Sequence, residues 1–209
     1  MRIVPLLPSS CAPEPWRPFP AVELVWTGTL HPDWARPDAG PQVHALHLPW
    51  RPGGPARGEA AMAALRPRLD SDFLVLRAAP PEGRAETAAF MGVLEGLLEV
   101  TQGQGAKLAL RPAPGAAPDL VRLLREARGE AVGFCWDAGI GADLDCIADR
   151  LFCAVGDPGD DFRPIQALGY RWNLAIPAED PAVLLRVAAA IDLDFPPVLF
   201  PAGLDEEQK

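Results

Sequence analysis

Eight short, almost unbroken apolar runs with helical patterns between them constrain this chain more than any other feature. They fall at residues 2–7, 22–26, 43–48, 73–77, 107–111, 132–137, 151–156 and 171–176. A strand with one wet face alternates apolar and polar side chains. A strand buried on both faces reads as a continuous apolar run, which is how parallel strands under a cover of helices look. The stretches between the runs have helical period. Residues 59–69 place Met62, Leu65 and Leu69 on one face, and residues 86–100 align Phe90, Leu94, Leu97 and Leu98. Residues 117–128 open on Pro118 and Asp119 and close on Arg125 and Arg128, the polarity that a helix dipole favours. Residues 181–191 start at a proline and carry Val183, Leu184, Val187 and Ile191. Eight strands with interleaved helices in 209 residues predict one α/β domain over residues 1–209, a closed, compact (β/α)8 barrel. An open doubly wound sheet is the competitor, but the glycine-rich turn it carries after an early strand is absent. A second register makes residues 197–200 the eighth strand and demotes residues 2–7. In the first register the tail, residues 195–209, drapes over the barrel or frays.

Charge narrows the partners. With 28 acidic against 19 basic residues the formal charge is −9, so the chain lacks the basic face that phosphate backbones require, and neither nucleic acid nor an anionic membrane is an expected partner. No apolar run nears the ~20 residues of a bilayer span. The first eight residues are too short and proline-broken for the apolar core of a signal peptide, so a cytoplasmic location is expected. The 25 prolines and 19 glycines read as loop punctuation. Cys11, Cys135, Cys146 and Cys153 form no C-x-x-C pair and read as thiols of a reducing compartment. Ser9, Ser10 and Ser71 sit in no nucleophile elbow, and Gly103-Gln104-Gly105 follows a helix rather than a strand, which makes it no dinucleotide fingerprint.

Four segments, in order and spacing, carry a resemblance. They are Val43-His44-Ala45-Leu46-His47-Leu48-Pro49-Trp50, the run from Phe73 to Pro80, Leu108-Ala109-Leu110-Arg111-Pro112-Ala113-Pro114-Gly115, and Val132-Gly133-Phe134-Cys135-Trp136-Asp137-Ala138-Gly139-Ile140. Together they resemble the sugar phosphate isomerase/epimerase superfamily, the xylose-isomerase-like and endonuclease-IV-like TIM barrels, over residues 22–191. The resemblance implies a divalent metal held by Glu, Asp, His and Glu from successive strand ends. This chain departs from that pattern. Arg111 stands where the first Glu is expected, Ile140 where a His follows Asp-x-Gly, Ala154 or Val155 at the next His, Ala175 at the final Glu, and Arg77 where another strand ends in His. Only His47 and Asp137 remain, and with two guanidiniums nearby they do not make a metal site. The expectation is a degenerate member with no metal and no cofactor.

Strand parity points His47, Arg77, Arg111 and Asp137 into the barrel mouth, above a layer of Ala45, Val75, Ala109 and Cys135. Arg77 and Arg111 read as an anion clamp, since guanidinium matches carboxylate or phosphate, or else as internal partners of Asp137. Asp137 reads as an acid/base or as that counter-ion. His47 is either a general base or a hydrogen-bonded structural histidine. Trp50 is the best ligand-facing aromatic among Trp26, Trp50, Trp136 and Trp172, with Trp136 assigned to the strand–helix layer. His44, three residues before His47, falls on the opposite face, and His31 reads as solvent-facing. Glu23 lies where the resembled family has an Ile-Glu-Leu element, or simply bridges to a neighbouring strand. Cys135 and Cys153 read as core. The favoured function is metal-independent: binding a small anionic or sugar-like ligand at the strand C-termini, or acting as a non-catalytic partner. The alternatives are a metal-dependent isomerase or epimerase of a sugar or related polyol with relocated ligands, and an interaction scaffold or homo-oligomer using the acidic surface and proline-rich loops.

Overall fold

The computed structural model describes residues 1–36, 40–49, 69, 71–102, 105–126, 132–139 and 144–192. The strands are β1 (Arg2–Pro8), β2 (Ala21–Val25), β3 (Gln42–Pro49), β4 (Phe73–Ala78), β5 (Lys107–Pro112), β6 (Val132–Asp137), β7 (Leu151–Val155) and β8 (Asn173–Pro177). They form a closed barrel in sequence order, every neighbouring pair parallel, with β1 pairing β8 from Arg2↔Asn173 to Leu6↔Pro177. That closure selects the register in which the N-terminal run is a strand.

The helices are α1 (Gly83–Gln102), α2 (Ala117–Glu126), α3 (Leu144–Ile147), α4 (Arg163–Ala167) and α5 (Pro181–Asp192). α1 runs beyond the expected residues 86–100 at both ends. Its first turn is closed by Glu86, whose carboxylate accepts from the Glu82 N–H at 2.8 Å. α5 starts where Asp180 accepts from the Ala182 N–H at 2.8 Å. The periodicity did not indicate α3 and α4, because a single turn shows no period. The first connection, read as non-helical, contains a 3-10 turn at Glu14–Trp16 that buries Trp16. The expected helix at residues 59–69 lies almost wholly outside the described residues, as does the tail from residue 193.

Two apolar shells follow from the double burial of the strands. The outer one joins strands to helices, with Leu24, Leu46, Leu74, Leu108, Leu110 and Phe134 packed against Phe90, Leu94 and Leu120. The inner one fills the barrel with Val4, Leu6, Ala45, Val75, Ala109, Cys135, Cys153, Val155 and Ala175. Ala45, Val75, Ala109 and Cys135 are thus the interior layer that strand parity assigned. Small side chains suit it because eight strands leave little room inside.

Alternation fails at two places. Against β2 the pairing steps from Val22↔Val43 to Glu23↔Ala45, so β3 carries an extra residue at His44. Against β6 it steps from Phe134↔Leu151 to Cys135↔Cys153, which leaves Phe152 as the extra residue of β7. The Phe152 ring packs with Phe73 at a centroid distance of 6.1 Å, and the Lys107 ammonium stands 5.5 Å from its centroid. These groups come from the N-terminal ends of their strands and form a floor. Gly133 is required there, because a Cβ would come within 2.2–2.5 Å of Phe152 ring atoms. Gly133→Ala is expected to cost about 1–3 kcal/mol through overpacking, measured by urea denaturation.

Candidate functional site at the barrel mouth

The C-terminal ends of β4, β5 and β6 bring three of the expected residues together. Arg77 and Arg111 are register partners on β4 and β5. The Arg111 guanidinium donates to Asp137 Oδ2 through Nε at 2.8 Å and approaches the same oxygen with Nη2 at 2.6 Å. Asp137 Oδ1 accepts from the Gly139 N–H at 3.1 Å, so both carboxylate oxygens are engaged. The pair is only partly shielded, with side-chain exposures of 21% for Arg111 and 11% for Asp137. Arg77 is exposed and makes no ion pair among the described residues. The two arginines therefore differ: one is matched to an acid and the other faces solvent without one.

Below this level lies a second polar unit. His47 Nε2 stands 2.6 Å from Glu23 Oε2, with Glu23 fully buried and His47 4% exposed. Glu23 Oε1 and His47 Nδ1 are buried without partners among the described residues. Glu23 thus bridges to the neighbouring strand, but it was not among the site candidates. The signal was present in Ala21-Val22-Glu23-Leu24-Val25, because a lone acid inside a run buried on both faces has to be buried itself. His44 belongs elsewhere: its Nδ1 is 2.9 Å from Asp72 Oδ2 and its ring meets Phe73. The two histidines have separate partners, and the extra residue in β3 shows that simple alternation was not the reason. His31 has a side chain 30% exposed, and its ring accepts from the Asp33 N–H at the start of a 3-10 turn.

Other candidates sort plainly. Trp50 lies outside the described residues. Trp136 is buried in the strand–helix layer. Trp172 is 64% exposed but precedes β8, which puts it at the opposite end from the mouth. Cys135 and Cys153 are fully buried register partners. The hydrogen bond with Cys135, followed by burial, pushes the Cys153 thiol well above its ordinary range, as suits a core residue and not a nucleophile.

The donor set at the mouth does not suit the metal that the resemblance implies. Among the described residues no three His, Cys, Asp or Glu side chains stand together to hold an ion. His47 is engaged by Glu23, and Asp137 already holds a guanidinium, a fixed cation against its carboxylate. The described residues do not fit a divalent metal.

No family model and no curated protein matches the sequence. Solved structures do match in fold. A xylose isomerase domain protein from Planctomyces limnophilus superposes with a TM-score of 0.67 at 15% identity, covering 92% of this chain and 95% of that one. An AP endonuclease, family 2, from Brucella melitensis gives 0.68 at 14% identity, covering 90% and 98%. The IolI protein, solved with a bound zinc atom, gives 0.60 at 13% identity, covering 84% and 87%. Proteins with such different names share the architecture, so the likeness speaks to fold and leaves function to the site. The chain has the xylose-isomerase-like TIM-barrel fold.

Proposed function

We propose that this barrel binds a small anionic or sugar-like molecule at its mouth through Arg77, and that it does so without divalent-metal chemistry. One observation carries the reading. Arg111 is neutralised by Asp137, while Arg77, its register partner, has no acid among the described residues. Arg77 therefore offers a guanidinium with no ion pair among the described residues, at the face where such barrels place their ligands. Glu23 does not cancel that charge by contact, since its level in the sheet is that of Phe73, four residues before Arg77. A guanidinium in this setting favours phosphate or carboxylate.

Thermal melts with inorganic phosphate test the proposal. At phosphate about tenfold above Kd, the wild-type Tm is expected to rise by about 3–5 °C, and Arg77→Ala to lose the rise. An equal rise in Arg77→Ala, or none in the wild type, rejects Arg77 as the anion site. About one chelator-removable zinc, manganese or magnesium per chain in purified protein rejects the metal-independent part.

A further inference from the structure

His47 has two ring nitrogens, and the structure treats them differently. Nε2 is committed to Glu23 Oε2, whereas Nδ1 is buried with no partner among the described residues. With Glu23 as a carboxylate, which only accepts, the 2.6 Å contact places hydrogen on Nε2. A neutral imidazole carries one such hydrogen, which leaves Nδ1 as a bare lone pair. A buried acceptor without a donor is uncommon in a packed interior and asks for a reason.

We propose that Glu23 is a positioning residue. It holds His47 as the Nε2–H tautomer, so that Nδ1 accepts a hydrogen bond from a hydroxyl of the ligand whose charge Arg77 holds. This rests on the anion reading of the mouth and narrows it to anions that carry a hydroxyl a few bonds from the charge. Register supplies the placement. His47 is beside Val75, and Arg77 is the next residue on the same side of β4, about 6.6 Å further along the strand. A ligand anchored at Arg77 and directed down the barrel axis therefore approaches the His47 level first. Nδ1 has almost no exposed surface, so the ligand hydroxyl reaches it by displacing the side chains above the ring, and once there it is shielded from bulk water.

The test has two arms. The chain has only three histidines, so 15N-histidine labelling, with His31→Gln and His44→Gln variants for assignment, reads the His47 tautomer directly. The Nε2–H form is expected in the wild type at neutral pH, lost in Glu23→Leu and partly kept in Glu23→Gln, whose amide oxygen still accepts. The second arm compares glycerol 3-phosphate with propyl phosphate, which has the same carbon chain without hydroxyls, by calorimetry on the wild type. The hydroxylated ester is expected to bind about tenfold more tightly. An Nδ1–H tautomer, as when a neutral Glu23 donates to Nε2, overturns the inference, and so does an imidazolium. Equal affinity for the two esters also overturns it while leaving the anion reading intact. If neither ester binds, the anion reading itself has failed and this inference falls with it.

Discussion

Replacing His47 with leucine is expected to destabilise the protein by about 3–5 kcal/mol in urea or thermal denaturation, because it strands a fully buried Glu23 in the barrel. The cost comes from the group left behind. A carboxylate there is shut off from bulk solvent, and its Oε1 has no partner among the described residues even in the wild type. The double replacement Glu23→Leu with His47→Phe removes both polar groups and is expected to recover most of the loss. Recovery would mark the pair as a feature that the fold does not need for stability, which is what a ligand-directed role requires. A double variant as unstable as the single one would make the pair a structural element of the β2–β3 interface.

The second large effect is expected at Asp137. Asp137→Ala leaves Arg111 without its ion pair beside Arg77, the next acid being Asp160, whose Oδ2 also stands near Gly139. A fully buried pair broken in this way costs about 3–5 kcal/mol, and the 21% and 11% exposures of Arg111 and Asp137 bring the expectation to about 2–3 kcal/mol. The sign of the phosphate response then separates two accounts. If both guanidiniums face the mouth, phosphate should stabilise Asp137→Ala more than it stabilises the wild type, since two free charges now receive it. If Arg111 instead folds back onto the barrel, the variant should respond no more than the wild type. Arg111→Ala should cost less than Asp137→Ala, because Asp137 keeps its bond from the Gly139 N–H.

The barrel was legible because its eight strands are buried on both faces, and a doubly buried strand leaves an apolar run of five or six residues, too short for a helix. The bounds moved by only a residue or two, most at β8, where Arg171 and Trp172 precede the paired segment. The extra residues at His44 and Phe152 were not legible, since an added residue in one strand is defined only by what stands opposite it. The difference between Arg77 and Arg111 lay in the strand order. Asp137 is on β6, which neighbours β5 and not β4, so the acid reaches Arg111. Glu23 was harder, because a bridge between two strands is visible in one of them only as an anomaly.

The closure of β1 on β8 has a consequence for how the molecule comes into being. Of the barrel's eight strands, Arg2–Pro8 leaves the ribosome first, and its partner on one side, Asn173–Pro177, leaves last. Until those residues emerge, the nascent chain has seven staves and two raw edges, one of them the apolar strand β1. The ring cannot be sealed progressively. It waits for a contact between segments far apart in the chain, the kind that slows folding and lengthens exposure to aggregation. A chain halted before Asn173 should therefore persist as an open, adhesive intermediate, in which β1 is as available to a second copy as to its own missing stave.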